Sequence, residues 1–158
     1  MCLPLAVWST ARLIGNDVGP TEMAFSVEAR FIDEAERKLG VRFPETYRQK
    51  MQTESGGHVS TPPDGWDLHP FFDKSDKKRL KRTANHIIRE TEISRRWSGW
   101  PERAIAIGEN GAGDRLIFLR SEEDPARCDD ALYWWDHETG TIHLITKDLD
   151  RIFETPKQ

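Results

Sequence analysis

Residues 104–119 read AIAIGENGAGDRLIFL, and residues 132–145 read LYWWDHETGTIHLI. Each is a pair of apolar, β-prone segments joined by a polar turn that carries glycine, which is the pattern of a β-hairpin. In the second, a four-residue loop at 137–140 with Gly140 in the left-handed region fixes the register. Asp136 then faces Thr141, Trp135 faces Ile142, Trp134 faces His143 and Tyr133 faces Leu144. Successive strand residues point to opposite sides. Trp135, Tyr133, Ile142 and Leu144 therefore share one face, expected to be core, and Trp134, His143, Asp136 and Thr141 share the other. A one-residue slip would exchange the two. The mixed aromatic and polar face is the leading candidate for a functional surface, because exposed Trp is enriched where proteins bind one another. Neither hairpin carries an arrangement that does chemistry by itself, so the sequence points to a sheet that presents a surface.

Upstream, residues 26–39 have helical spacing, with Ser26 as the expected N-cap, Val27, Phe31, Ala35 and Leu39 on one face, and Gly40 as the stop. Pro44 suits the start of a second helix, where no N–H is needed; Tyr47 and Met51 lie one turn apart on it and Gly56-Gly57 ends it. Residues 60–65 read as a loop and 66–72 as a short strand limited by Pro70. A long helix is expected over 75–97, capped by Ser75, with Leu80, Ala84, Ile87, Ile88 and Thr91 facing in. A short helix over 147–153 closes the chain. This order of elements argues for an α+β fold with a mainly antiparallel sheet. Residues 1–22 read as a loosely ordered N-terminal extension ahead of a single domain over 23–158.

At 158 residues the chain is one domain in size, with room for a substantial core. Its net charge of −4 is unevenly spread. Residues 74–103 hold ten Lys/Arg against four Asp/Glu, whereas 122–138 hold seven Asp/Glu against one Arg. Such polarisation steers partners. No apolar run approaches the ~20 residues needed to span a bilayer, so no membrane partner is expected. The two cysteines, Cys2 and Cys128, do not make a disulfide scaffold, and a cytoplasmic location is expected.

Several motifs invite chemistry and are better read otherwise. The glycine-rich loop at 108–114 lacks a following Lys-Ser/Thr and a helix, and Glu109 and Asp114 would repel a phosphate. The basic run Lys77, Lys78, Arg79, Lys81 and Arg82 reads as a solvated helix face, without an interleaved aromatic platform, so no direct nucleic-acid binding is expected. His58, His69, His86, His137 and His143 show no metal-site spacing, and no metal or cofactor is expected. Asp129 and Asp130 disfavour a Cys128 thiolate. The acidic stretch Glu122, Glu123, Asp124, Asp129 and Asp130 has a sharper reading as a docking patch for a basic partner. Nuclease toxins, which bind phosphate backbones, are such partners.

The run LGVRFPETYRQKMQTESGG at 39–57 resembles a signature Leu-Gly-x-x-Leu-Pro-x-x-Tyr, a helix, then Asn-Gly-Gly. AIAIGENGAGDRLIFL resembles the same family's Ile-Gly, glycine-rich turn, Gly-Asp and apolar strand, and LYWWDHETG its Tyr-x-Trp-Asp-His-Glu hairpin. Residues 148–153 match its closing helix. The family is the SUKH superfamily, in the branch resembling the yeast Smi/Knr cell-wall-assembly regulator. Gly40, Pro44, Tyr47, Gly57, Gly108, Gly113, Asp114, Trp135 and Asp136 match its pattern by position; Phe43 replaces the usual Leu and Ser55 the usual Asn. The resemblance implies a curved, mostly antiparallel sheet with helices packed on it, and no catalysis. It further implies a bacterial immunity protein that neutralises a cognate polymorphic toxin, or else a general interaction module in signalling or assembly. The surface expected to bind the partner is Trp134, His143 and Asp136 with the acidic residues Glu122, Glu123, Asp124, Asp129 and Asp130.

Overall fold

The computed structural model describes residues 25–62 and 64–153. The expected N-terminal extension at 1–22 lies outside the described residues. Two helices come first, α1 (Ala29–Leu39) and α2 (Glu45–Thr53), then strands β1 (His58–Ser60) and β2 (Gly65–Leu68). Helices α3 (Lys77–Arg82) and α4 (Ile87–Ser94) precede β3 (Ala104–Glu109), β4 (Arg115–Leu119), β5 (Leu132–Trp135) and β6 (Ile142–Thr146), and α5 (Asp150–Phe153) ends the described chain. The six strands form one sheet in chain order, every pair antiparallel, so the class is α+β.

Helix α1 buries Phe31, Ile32, Ala35 and Leu39 on one face. It ends at Gly40, whose φ of 71° is the left-handed value a Cβ disfavours and whose N–H returns to the Glu36 carbonyl. Glu28 rather than Ser26 occupies the N-cap position, without a side-chain cap bond. Pro44 stands at the N-cap position of α2, which buries Tyr47 and Met51. On the inner face of the sheet Phe43, Tyr47, Phe71, Phe118 and Phe153 pack ring against ring, with centroids 5.0–6.2 Å apart.

The sheet curls strongly. Trp66 of β2 and Trp134 of β5 have ring centroids 6.4 Å apart, although β3 and β4 lie between them. In a flat sheet three inter-strand steps would separate their strands by about 14 Å. Gly108 permits the curl. It sits beside a register shift in the β3–β4 pairing, and a Cβ there would lie 2.9 Å from the Asp67 carbonyl of β2.

The sheet is covered on both sides. The inner face carries Ile105, Ile107, Leu116, Phe118 and Leu132. The outer carries Ala104, Ile117, Leu119 and Trp135, under Trp97 and Trp100 from the segment after α4. The hairpin register is as read from the sequence: Trp134 pairs with His143, Trp135 with Ile142 and Tyr133 with Leu144. The face assignment differs. Trp134 packs against the larger inner core. Trp135 is buried in the smaller outer one. Ile142 and Leu144, expected in the core, are 38% and 53% exposed, because the cover provided by Trp97 and Trp100 stops short of the edge strand.

The expected helix over 75–97 is two helices. Thr83 turns its hydroxyl back to the Arg79 carbonyl and accepts from the Asp73 N–H, which closes α3. His86 Nδ1 then accepts from the Arg89 N–H and caps α4 anew. Asp76, not Ser75, caps α3. Leu80 is 41% exposed and Ala84 is also exposed, whereas Ile87 and Thr91 are buried as expected. Strand β1 falls where the sequence suggested the approach to a loop, and β2 stops at Leu68 rather than reaching residue 72.

His69 is the least accommodated buried polar side chain. It is 1% exposed, its Nε2 has no partner, and burial, with the Arg115 charge, pushes its pKa down to about 3. Between that value and its ordinary 6.5 the unfolded chain holds a proton that the folded chain refuses, so stability falls as pH drops through this window. His86, also lowered, acts in the same sense. The carboxyls of Glu34, Asp73 and Asp136 are also lowered, and the stability they contribute is likewise lost as pH falls. Urea unfolding of His69→Gln should therefore show a smaller stability loss between pH 6.5 and 4.5 than the parent; an equal loss would mean that His69 does not set the slope.

Candidate partner-binding surface

The candidate residues fall at the two ends of the β4–β5–β6 hairpins. At one end, Trp134 and His143, cross-strand partners, stack with centroids 4.4 Å apart and planes 19° from parallel. Both are half-buried. Trp134 lines a small cavity of about 120 Å³ with Asp64, Trp66, Asn110 and Asp114. Asn110 Nδ2 donates to Asp64 (2.9 Å) and Asp114 (3.3 Å), tying the turn before β2 to the β3–β4 loop.

Asp114 then clasps the β5–β6 loop. Its Oδ1 accepts from the His137 backbone N–H (3.1 Å) and lies 2.7 Å from His137 Nδ1. That contact, with the nearby carboxylates Glu138 and Asp136, raises the His137 pKa. Gly113 has a φ of 108° and leaves the space that the His137 ring fills, since a Cβ would meet the ring at 2.9 Å. Asp136 accepts from the Glu138 N–H, and hydrogen bonds from Glu138 and Thr139 hold its carboxyl below the usual range. Ligand-type atoms of Asp114, Asp136 and His137 lie within 4.8 Å of one another. His137 Nδ1 and Asp114 Oδ1 engage each other, so the group reads as a hydrogen-bonded clasp between two loops.

At the other end lies the acidic loop at 121–130. Its Asp129 N–H reaches the Leu119 carbonyl at the far end of β4, while Trp134 pairs with Leu116 near the start. The structure therefore does not bring the two halves of the expected surface together. The loop is well ordered by its own chemistry. Ser121 Oγ accepts from the Glu123 and Asp124 N–H groups, and Asp124 Oδ1 accepts from Ala126. Arg120 donates to the carbonyls of Leu39, Gly40 and Pro125, fixing the loop to the end of α1, where the helix dipole favours a cation. Arg103 pairs with Glu122 (3.2 Å) and lies 3.9 Å from Asp129. Glu123, Asp124 and Asp130 are exposed. Cys128 is buried within the loop; desolvation first, with Asp129, Glu36 and Asp130 adding to it, pushes its thiol up to about 12, against the opposing Arg120 charge.

The remaining motif residues are structural. Tyr47 is fully buried beneath the aromatic cluster, and its hydroxyl is raised by desolvation. Gly57 has a φ of 83° after α2. Trp135 donates its indole N–H to the Gly99 carbonyl at 3.2 Å.

Two features lay outside the sequence reading. Arg115 is buried on β4 between Glu109 (3.0 Å) and Glu90 (3.8 Å), with its guanidinium 4.7 Å above the Trp97 ring. Trp97, Trp100 and Trp135 form an aromatic cap on the outer face. The unbroken apolar runs of β3 and β4 were the available signal, because strands covered on both sides lose alternation.

Among the described residues, no helix is long and apolar enough to cross a membrane. Comparison with curated proteins and with solved structures finds no match. The sequence model of the SMI1 / KNR4 family (SUKH-1) matches residues 27–155, which take in both helical pairs and the whole sheet, and the chain belongs to that family.

Proposed function

We propose that this chain is an immunity-type protein that neutralises a cognate bacterial toxin of the nuclease kind by stoichiometric binding in the cytoplasm. Family membership supports a domain that binds a protein partner. The observation that carries the finer reading is the preorganised acidic loop. Glu123, Asp124 and Asp130 are exposed on a loop that Arg120 and Ser121 hold rigid, so docking a basic surface costs little ordering. A nuclease presents such a surface, and occluding it removes access to the phosphate backbone. Trp134, His143 and Asp136 offer a second contact at the opposite end of the hairpins. Inhibition of this sort needs no turnover.

The test starts from the tagged protein in its native host. Recovery of one basic, nuclease-like chain in near-equal amount supports the reading; recovery of endogenous scaffold or signalling proteins in its place points to a general interaction module. With that toxin in hand, Glu123→Lys with Asp130→Lys should slow association about tenfold and flatten its salt dependence, read by stopped-flow at low and high ionic strength. Both side chains are exposed and without an ion pair among the described residues, so folding should be unaffected. An unchanged rate and salt slope would remove the acidic loop from the interface.

A further inference from the structure

Strand β6 is the last strand of the sheet, and among the described residues nothing pairs with its outer side. The Asp136 backbone N–H donates to the Thr141 carbonyl, so Thr141 turns its carbonyl inward toward β5. Alternation along an antiparallel ladder then gives the inward bonds to His143 and turns the N–H and C=O groups of Ile142 and Leu144 outward. The same two residues carry exposed large apolar side chains. Natural edges are protected by charge, proline, bulges or shortness. The sequence IHLIT of β6 carries neither proline nor a formal charge, and its one irregularity, a register shift against β5 that leaves Ile145 as the extra residue, lies beyond the regular stretch from Ile142 to Leu144. The opposite edge, β1, has only three residues, and α5 packs beside it.

We propose that the β6 edge receives an extended segment of a partner protein as a seventh strand, its apolar side chains resting on Ile142 and Leu144 and its basic flanks meeting the carboxylates at either end of β6. This rests on the protein-binding role proposed above, but on no property of a toxin. Glu138 stands in the loop before β6, Asp148 follows it, and Asp130 precedes the paired strand β5; all three are exposed and free of ion pairs among the described residues. Lys147 is the cation among them. The same carboxylates disfavour a second copy of this chain. An antiparallel two-fold pairing of β6 with its own copy brings the Asp148 end of one strand toward the Glu138 end of the other. Like charges placed opposite one another are destabilising.

The probe is a labelled nine-residue peptide, KTVTVTVTK, titrated into the intact protein by fluorescence anisotropy, with amide exchange followed by NMR. The expected result is binding that protects the Ile142 and Leu144 amides. Leu144→Pro removes an outward N–H together with the apolar Leu144 side chain and leaves the inward bonds of His143 to β5 in place, so it should weaken binding about tenfold. Leu144→Lys puts a cation in place of the apolar side chain under the middle of the peptide and gives the same loss if the proline variant does not fold. A peptide with glutamates at its ends should bind about tenfold more weakly than the lysine form. Failure to bind, or binding unchanged in Leu144→Lys, overturns the proposal. So does concentration-dependent dimerisation that Leu144→Lys abolishes, which would give the edge to a second copy. A toxin captured equally well by Leu144→Lys would leave the immunity reading standing and remove the edge from it.

Discussion

Trp135→Ala should lower the unfolding free energy by about 3–5 kcal/mol, the cost of emptying a buried large aromatic site. Trp135 is 1% exposed. It stacks on Trp97 at 5.9 Å, meets Trp100 edge-on at 5.0 Å and donates to the Gly99 carbonyl. Removing it leaves Ala104, Ile117 and Leu119 lining a void that the surrounding sheet cannot close, because β3 and β4 are pinned from the inner side as well. Thermal or urea unfolding measures the loss. Trp134→Ala, at a half-buried site, should cost distinctly less. Equal losses at the two positions would mean that the outer aromatic cap is not an independent core.

Arg48→Ala should cost a similar amount, about 3–5 kcal/mol, for an electrostatic reason. The Arg48 side chain is 7% exposed and that of Glu36 10%. Arg48 Nε donates to Glu36 (3.3 Å) and Nη2 to Asp33 (2.7 Å), joining α2 to α1. Glu36 also accepts the Phe43 N–H at 2.9 Å, so it cannot turn out to water without uncapping the connection between the helices. Loss of the guanidinium leaves a carboxylate buried with only the distant Arg42, 4.0 Å away, to offset it. Arg48→Lys should recover only part, since one ammonium cannot reproduce the fork that spans both carboxylates. By contrast, removing the exposed Arg30–Glu28 pair should change stability by less than about 1 kcal/mol. Urea denaturation of the three variants separates these cases; a mild Arg48→Ala would show that Glu36 finds solvent.

Strand pairing was legible because turn chemistry and the two-residue period act locally. Gly140 and the apolar segments around it determine which residues of 133–144 face each other, and those pairs are found, with the register shifting only beyond them, at Leu132. Which face is inner was not legible. Inside and outside differ only when one face is wet, and here Trp134 and Trp135 both have cores to join. The helix over 75–97 had the right period at both ends. Its interruption depends on side-chain bonds of Thr83 and His86, which the apolar pattern does not register. For the candidate surface, the sequence located the acidic loop and the Trp134–His143 pair, but not their placement at opposite ends. Nor could spacing reveal Arg120, whose partners at Leu39 and Gly40 lie about eighty residues away in the chain.

The in-order sheet makes most strand contacts local, and local contacts close small loops at low entropic cost. The exceptions join the two ends of the domain: Thr46 bonds to Asp150 across 104 residues, and Tyr47 packs on Phe153. During synthesis α1 and α2 emerge ahead of the sheet that covers them, and the last ring packed on Tyr47 arrives with Phe153 of α5. Until Phe153 is made, Tyr47 lacks one of its aromatic neighbours, so the packing around α2 is completed only when α5 closes on it.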